Sequence, residues 1–484
     1  MQAESCETSV MEPFDPFLAE LPAAARLVGV RSGTALDAAA VRAQVAARAA
    51  SLGALKLGHG ARIVVGETDP VAFIVAMLAA WRVGLAVVAV NPGLAAAEQK
   101  TVLDTTGALA WLGDLRTAAP ATAPAGAASA EPLQPDEPAL ILMTSGTTGR
   151  PKGIAHSLRS LGARIEANIA EIGAGPLRQT LCVLPVFFGH GLIGNALTPL
   201  FAGASVHLWP TPTAAELPGL TPYLEAEGIS FMSSVPSFWK LALRLAPPPQ
   251  RPLERVHIGS APLSIANWQA VSDWAGTPNV FNMFGMTETA NWISGGRLAE
   301  AGPRDGYVGR VWGGAFAVLD EAGDILPSGR GEVLVRSPSI MLGYWERPDL
   351  DAAAFAGDWF RTGDTGQLEA DGALTLVGRI KSEINRGGIK VQAEEVDMLL
   401  ERHPAIAEAC AFGIPDAAAG EAVAAAIVLK PGHAFEPEAI KAWCRTQARA
   451  DAVPARLYAL AAIPRNDRGK IVRADVRAAA EAAR

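Results

Sequence analysis

Residues 71–90, VAFIVAMLAAWRVGLAVVAV, restrict the fold more than any other segment. Their length approaches the roughly 20 residues needed to span a bilayer. Arg82 interrupts the run, however, and Gly84 follows it. The expected structure is a buried helix running into a buried strand, with no membrane span. Around this segment, VRAQVAARAASLGAL has amphipathic helical spacing, ARIVVG is a short β-branched run, and AVVAVNPG ends in a turn signal. Such alternation predicts a parallel sheet covered by helices.

Composition sets the outer limits. A length of 484 residues corresponds to about three structural units. With 41 Lys plus Arg against 49 Asp plus Glu, the net charge is −8. The basic excess that grips a phosphate backbone is missing, so a nucleic acid polymer is excluded as a partner. A hydrophobic share of 50% with 19% charged residues argues against disorder. Cys6, Cys182, Cys410 and Cys444 are far apart and form no Cys-x-x-Cys pair, which reads as reduced thiols. The first residues, MQAESCETSVMEPFDPF, lack the pattern of a secretory signal, so a cytoplasmic protein is expected.

Further along, 117–138 is rich in Pro, Ala and Gly and reads as a surface connection. ASVHLW (204–209) and ISFMSS (229–234) read as strands, and SFWKLALRL as a helix. Short strands joined by Gly and Asp turns at 316–335 indicate a β-rich subdomain. From about 380 onward, helices such as AEEVDMLLERHP alternate with strands around ACAFGI and AAAIVLK in a compact α+β unit. The expected class is α/β. A large N-terminal domain (1–380) of parallel and mixed sheets covered by helices carries the small β-rich subdomain, and a small mobile α+β domain (381–484) follows.

The strongest chemical signal follows the apolar strand ALILMT. Thr144, Ser145, Gly146, Thr147, Thr148, Gly149, Pro151, Lys152 and Gly153 combine glycines that let the backbone curve around an anion, hydroxyl and amide donors, and one cation. Such a loop suits a triphosphate. It is not a Walker A loop, because Pro151 stands before the lysine.

Ending in Pro-Lys-Gly, this loop resembles the signature of the adenylate-forming superfamily of acyl-CoA synthetases, nonribosomal adenylation domains and firefly-type luciferases. Later motifs occur in that family's order, from about Arg62 to Val472. LPVFFGHGL resembles its aromatic motif at the acyl pocket, with Phe187 and Phe188 beside His190; Phe188 replaces the usual histidine. IGSAPL, with Gly259, Ser260 and Ala261, resembles the segment lining the adenine and acyl pockets. In FNMFGMTETA the resemblance implies that Phe284 stacks on adenine, with Asn282 and Gly285 beside the nucleotide. It also places Met283 and Gly285 at the acyl group, Thr287 on the α-phosphate, and magnesium on Glu288 and Thr144. Asp364 of RTGDTG and Arg379 of VGRIKS are the implied ribose pair, and Lys381 the hinge; Ser382 departs from the usual acidic residue. Gly387 and Gly388 are the implied lining of a coenzyme A channel, although Gln392-Ala393 departs from the pattern after them. Lys470 of PRNDRGK is the implied catalytic lysine, acting with Glu288 and Thr287.

The resemblance thus implies an AMP-forming acyl-CoA synthetase that uses ATP, Mg2+ and coenzyme A on a small carboxylic acid. Two alternatives stay open: loading of a carrier protein's phosphopantetheine, and a silent nucleotide-binding relative. A homodimer is left open as the assembly. Acetate-specific members carry Trp where Gly285 stands, so a longer or aromatic acid is expected here. Phe187, Phe188, His190, Ser260, Met283 and Trp239 are the expected pocket lining, and Arg297 is left open as a partner for a second carboxylate.

Overall fold

A computed structural model describes residues 21–113, 131–144, 152–301, 304–386, 389–416, 419–465 and 471–483. The apolar run divides as its chemistry requires. Asp69 caps the helix Pro70–Arg82 by accepting from the amides of Val71 and Ala72, and Pro70 fits the first turn, where no amide donor is needed. Every residue from Phe73 to Trp81 is buried, and the Trp81 indole donates to the Ala139 carbonyl at 2.8 Å. Arg82 emerges at the exposed end. Gly84, at φ +73°, then turns the chain into the buried strand Ala86–Ala89. Among the described residues no helix is long and apolar enough to cross a membrane.

Ala86–Ala89 lies inside a six-stranded sheet between Pro138–Thr144 and Arg62–Gly66. These three strands and Ala110–Gly113 run parallel, while Lys152–Ser157 and Gly343–Tyr344 add antiparallel pairs at one edge. A second sheet has 15 strands. Toward one end of it run six parallel strands: Arg26–Gly29, Ser205–Leu208, Gln179–Cys182, Phe231–Ser234, Arg255–Gly259 and Val280–Gly285. Trp292–Arg297 then reverses direction and leads through Tyr307–Val311 into the antiparallel strands of the β-rich region, which is hydrogen-bonded to the parallel part. A separate five-stranded sheet is built from residues 383–459, with the helices Ala393–Glu401 and Pro437–Gln447 packed on it. Cys182, Cys410 and Cys444 are buried free thiols, and Cys6 lies outside the described residues.

Candidate active site

The two sheets meet at one mouth. Thr144 ends one strand of the six-stranded sheet, and Lys152 opens its antiparallel neighbour directly opposite. Both ends of the glycine-rich segment are therefore pinned, although Ser145, Gly146, Thr147, Thr148, Gly149 and Pro151 lie outside the described residues. Lys152 belongs to a strand, not to the loop itself. Its ammonium is 3.1 Å from Glu288 Oε1, a residue 136 positions away, and 3.8 Å from the centre of the Tyr344 ring. The Tyr344 hydroxyl donates to the same Glu288 oxygen at 2.9 Å.

Glu288 stands on the short turn Thr287–Thr289, which follows the strand Val280–Gly285. Two further bonds hold this turn from behind. His156 Nε2 donates to the Thr287 carbonyl at 2.7 Å, and the Met341 amide donates to the Glu288 carbonyl at 2.8 Å. Burial pushes the fully enclosed His156 down to about 4, so it is neutral and its Nε2 carries the proton. Among the described residues no three His, Cys, Asp or Glu side chains converge as a metal cage. A single carboxylate with its second oxygen outside these bonds suits magnesium, which takes most of its ligands from phosphates and water.

Asp364 and Arg379 face each other across neighbouring strands, with Arg379 Nε donating to Asp364 Oδ1 at 2.6 Å. Asp364 is buried inside the long strand Trp359–Leu368, where the residues alone would suggest a turn. Burial raises its pKa above the usual range, Arg379 opposes that shift, and the charges of Glu394 and Glu288 add to the rise. Three carboxylates thus feel one another, which makes this a place for cations and donors. Lys381 lies two residues beyond Arg379 in the exposed turn Ile380–Ser382. Gly387, Gly388 and Lys470 lie outside the described residues.

Strand alternation sorts the remaining candidates by face. On one face of the parallel strands, Ser233, His257 and Phe281 are in register, as are Gly259 and Met283. His190, at the start of the π-helical stretch His190–Leu197, bridges this face. Its Nδ1 pairs with the Ser260 hydroxyl and its Nε2 with the Ser233 hydroxyl, both at 2.8 Å. Ser260 holds the left-handed φ of +67°, and it and Ala261 are exposed. Phe187 and Phe188 are half-buried, edge to face at 4.5 Å. Gly285 closes the row; a Cβ there would lie 2.3 Å from the Asn291 carbonyl oxygen.

The opposite face holds Asn282 and Phe284. The Asn282 amide donates to the Tyr307 carbonyl at 2.9 Å, and Phe284 packs beside Phe316, Ile293 and Val308. Trp239, expected in the acyl pocket, instead lies in the core with Trp268 and Trp274, beside Met232, Val256 and Ile258. Those neighbours alternate with Ser233 and His257, so Trp239 is on the far side of the sheet from His190. Arg297 is paired with Glu300.

The structure also assembles residues that no motif identified. Arg255 Nε donates to His257 Nε2 at 2.8 Å, and its guanidinium lies over the Phe281 ring at 3.8 Å. Burial lowers Arg255 to about 10 and pushes His257 well below its ordinary value. Arg255 is therefore charged and His257 neutral. Arg255-x-His257 on a strand is a same-face pair, but nothing in the sequence marks that face as buried.

Residues 18–345 match the family described as AMP-binding enzyme, and residues 395–470 match the AMP-binding enzyme C-terminal domain. The chain is 36% identical over 347 residues to an oxalate–CoA ligase of Arabidopsis thaliana, a match covering 70% of this chain and 67% of that protein. It is 34% identical over 346 residues to a sulfoacetate–CoA ligase of Cupriavidus necator, covering 71% and 67%. The matched stretches thus span about two thirds of these relatives. ATP-bound MatB from Rhodopseudomonas palustris superposes with a TM-score of 0.83 at 24% identity, over 97% of this chain and 99% of that one. That likeness carries the fold.

Proposed function

This chain belongs to the AMP-binding enzyme family, and on that premise we propose that it is an AMP-forming acyl-CoA synthetase acting on a small acid with a second anionic group. It activates the acid with ATP, releasing pyrophosphate, and then passes the acyl group to coenzyme A with release of AMP. The observation that carries this reading is the convergence of Lys152, Glu288 and the Asp364–Arg379 pair at the mouth where the glycine-rich segment begins and ends.

In the first step the substrate carboxylate attacks the α-phosphorus, the bond to the β-phosphate breaks, and pyrophosphate leaves. The nucleophile is already ionised at neutral pH, so no base is required. Positioning and charge neutralisation do the rest. Lys152 and the donors of Ser145, Gly146, Thr147, Thr148 and Gly149 take the β- and γ-phosphates, and Thr287 takes the α-phosphate. Asp364 accepts from the ribose hydroxyls while Arg379 steadies it. On the resemblance, Ser260, Ala261 and Gly285 border the adenine from one face of the strands and Asn282 and Phe284 from the other. Magnesium bound by Glu288 and Thr144 would neutralise phosphate charge. Lys470 approaches the acid's carboxylate and the developing negative oxygen. In the second step the coenzyme A thiolate attacks the acyl carbon and AMP departs. The unit 381–484 turns about Lys381, withdrawing Lys470 and bringing Gly387 and Gly388 to the channel.

The names of the relatives support the acid class, since oxalate and sulfoacetate each carry two acidic groups. The Gly259–Met283–Gly285 face, with Phe187 and Phe188 at its edge, offers His190, Ser233 and Ser260 as polar partners. Arg255 lies deeper on the same face, with no carboxylate in ion-pair reach among the described residues. ATP–pyrophosphate exchange and AMP release with coenzyme A, measured over oxalate, malonate, sulfoacetate and monoacids of matched length, test both parts. Exchange is expected to favour the dianions. Absence of exchange with every acid overturns the synthetase reading, and a preference for monoacids overturns the substrate class.

A further inference from the structure

We propose that Tyr344 is a positioning residue for both charges of the magnesium–ATP site, its hydroxyl fixing Glu288 and its ring face seating Lys152. The inference rests on the roles just given to those two residues. It adds a side chain from a two-residue strand, Gly343–Tyr344, that no motif singles out.

Both donors that reach the Glu288 carboxylate, the Tyr344 hydroxyl and the Lys152 ammonium, fall on Oε1. Among the described residues this keeps Oε2 for a cation. A carboxylate facing lysine alone could turn to present either oxygen; the hydroxyl removes that freedom. A carboxylate oxygen only accepts, so the phenol is the donor in this bond. Lys152 gains a second pole from the ring, whose negative face attracts an ammonium. When a triphosphate enters, the ammonium can move from the carboxylate toward phosphate without leaving the ring.

The mounting of Tyr344 fits this work. Its strand pairs with Lys152–Ser157, placing Tyr344 opposite Ile154, two residues from Lys152. Its amide donates to Asp351 Oδ1 at 2.8 Å, and three residues earlier the Met341 amide holds the Glu288 carbonyl at 2.8 Å. Residues 341–344 therefore grip Glu288 by both backbone and side chain.

Two substitutions separate hydroxyl from ring. Tyr344→Phe keeps the face and removes the donor; Tyr344→Leu removes both. ATP binding is followed by calorimetry across free magnesium concentrations, alongside pyrophosphate exchange and a thermal melt. Tyr344→Phe is expected to raise the magnesium needed for half-maximal ATP binding about five- to tenfold, the scale of one typical net hydrogen bond, with the deficit recovered by excess magnesium. Tyr344→Leu is expected to show the same shift and also about tenfold weaker ATP binding that excess magnesium does not recover. A wild-type magnesium titration for Tyr344→Phe overturns the role of the hydroxyl. Indistinguishable titrations for the two variants overturn that of the ring. Glu288→Gln is the control: if it too leaves the magnesium dependence unchanged, the underlying assignment of Glu288 has failed.

Discussion

Glu288 and Asp397 are both carboxylates beside a cation, yet their surroundings differ in one respect. Among the described residues the bonds to the Glu288 carboxylate fall on one oxygen, and its partner Lys152 keeps a quarter of its side chain exposed. Asp397 is enclosed. The Ala411 amide donates to Oδ1 and Arg473 to Oδ2, while Arg473 also binds Glu394 Oε1 and the Ala411 carbonyl. Burial pushes Asp397 up to about 6 even with Arg473 beside it. A carboxylate with both oxygens taken braces the fold, and one with an oxygen to spare can exchange partners. Asp397 is of the first kind, in the helix–sheet packing of the last hundred residues, and Glu288 of the second, where ligand must enter.

The contrast can be broken by substitution. The largest effect is expected for Arg473→Met, which leaves Asp397 buried and unpaired at a cost of about 3–5 kcal/mol. Urea unfolding should show that loss, while ATP affinity of the folded protein stays within about twofold. If ATP binding collapses as well, the two clusters are not separate in function. Glu288→Gln should do the reverse. Pyrophosphate exchange falls about 100-fold, roughly 2.7 kcal/mol of transition-state stabilisation, with the melting temperature nearly unchanged. A large loss of stability would make Glu288 another brace.

Behind the exchangeable pair stands a group that titrates. His156 is held neutral with a pKa of about 4, against an ordinary 6.5. The unfolded chain therefore takes up a proton between those values that the folded chain refuses. This contribution is fully present above about pH 6.5 and is lost as pH falls toward 4. It amounts to about 2 kcal/mol between pH 7 and pH 5. Urea midpoints at those two pH values should separate more in the wild type than in His156→Gln; equal separations would show that His156 is not the group. The smallest effect belongs to a pair without burial. Lys100 and Asp104 meet at 2.6 Å on an exposed helix face. Lys100→Ala should change stability by less than about 0.5 kcal/mol.

Much of this arrangement is legible in the residues. Periodicity and Arg82 settle the fate of the apolar run, and the order of motifs brings Lys152, Glu288 and Asp364 into one argument before any coordinates. What escapes is which side of a strand a residue occupies and what it meets there. Trp239 reads as pocket lining because aromatic residues suit pockets; one step of alternation places it on the opposite face. Without the motif order Asp364 would be only a turn residue between strands, whereas pairing with Arg379 keeps it inside one. Tyr344, His156 and Arg255 reach partners through tertiary contacts or register, and no local pattern encodes those.

The close approach at Gly285 limits how the chain could be redesigned. Besides the Asn291 oxygen, a Cβ there would lie 2.6 Å from the Trp292 Cα, so both obstacles are backbone. A large side chain here, of the kind the resemblance gives acetate-specific members, therefore needs the backbone at Asn291 and Trp292 to move in this chain. A selection for altered chain length should therefore change Met283 or His190 before Gly285.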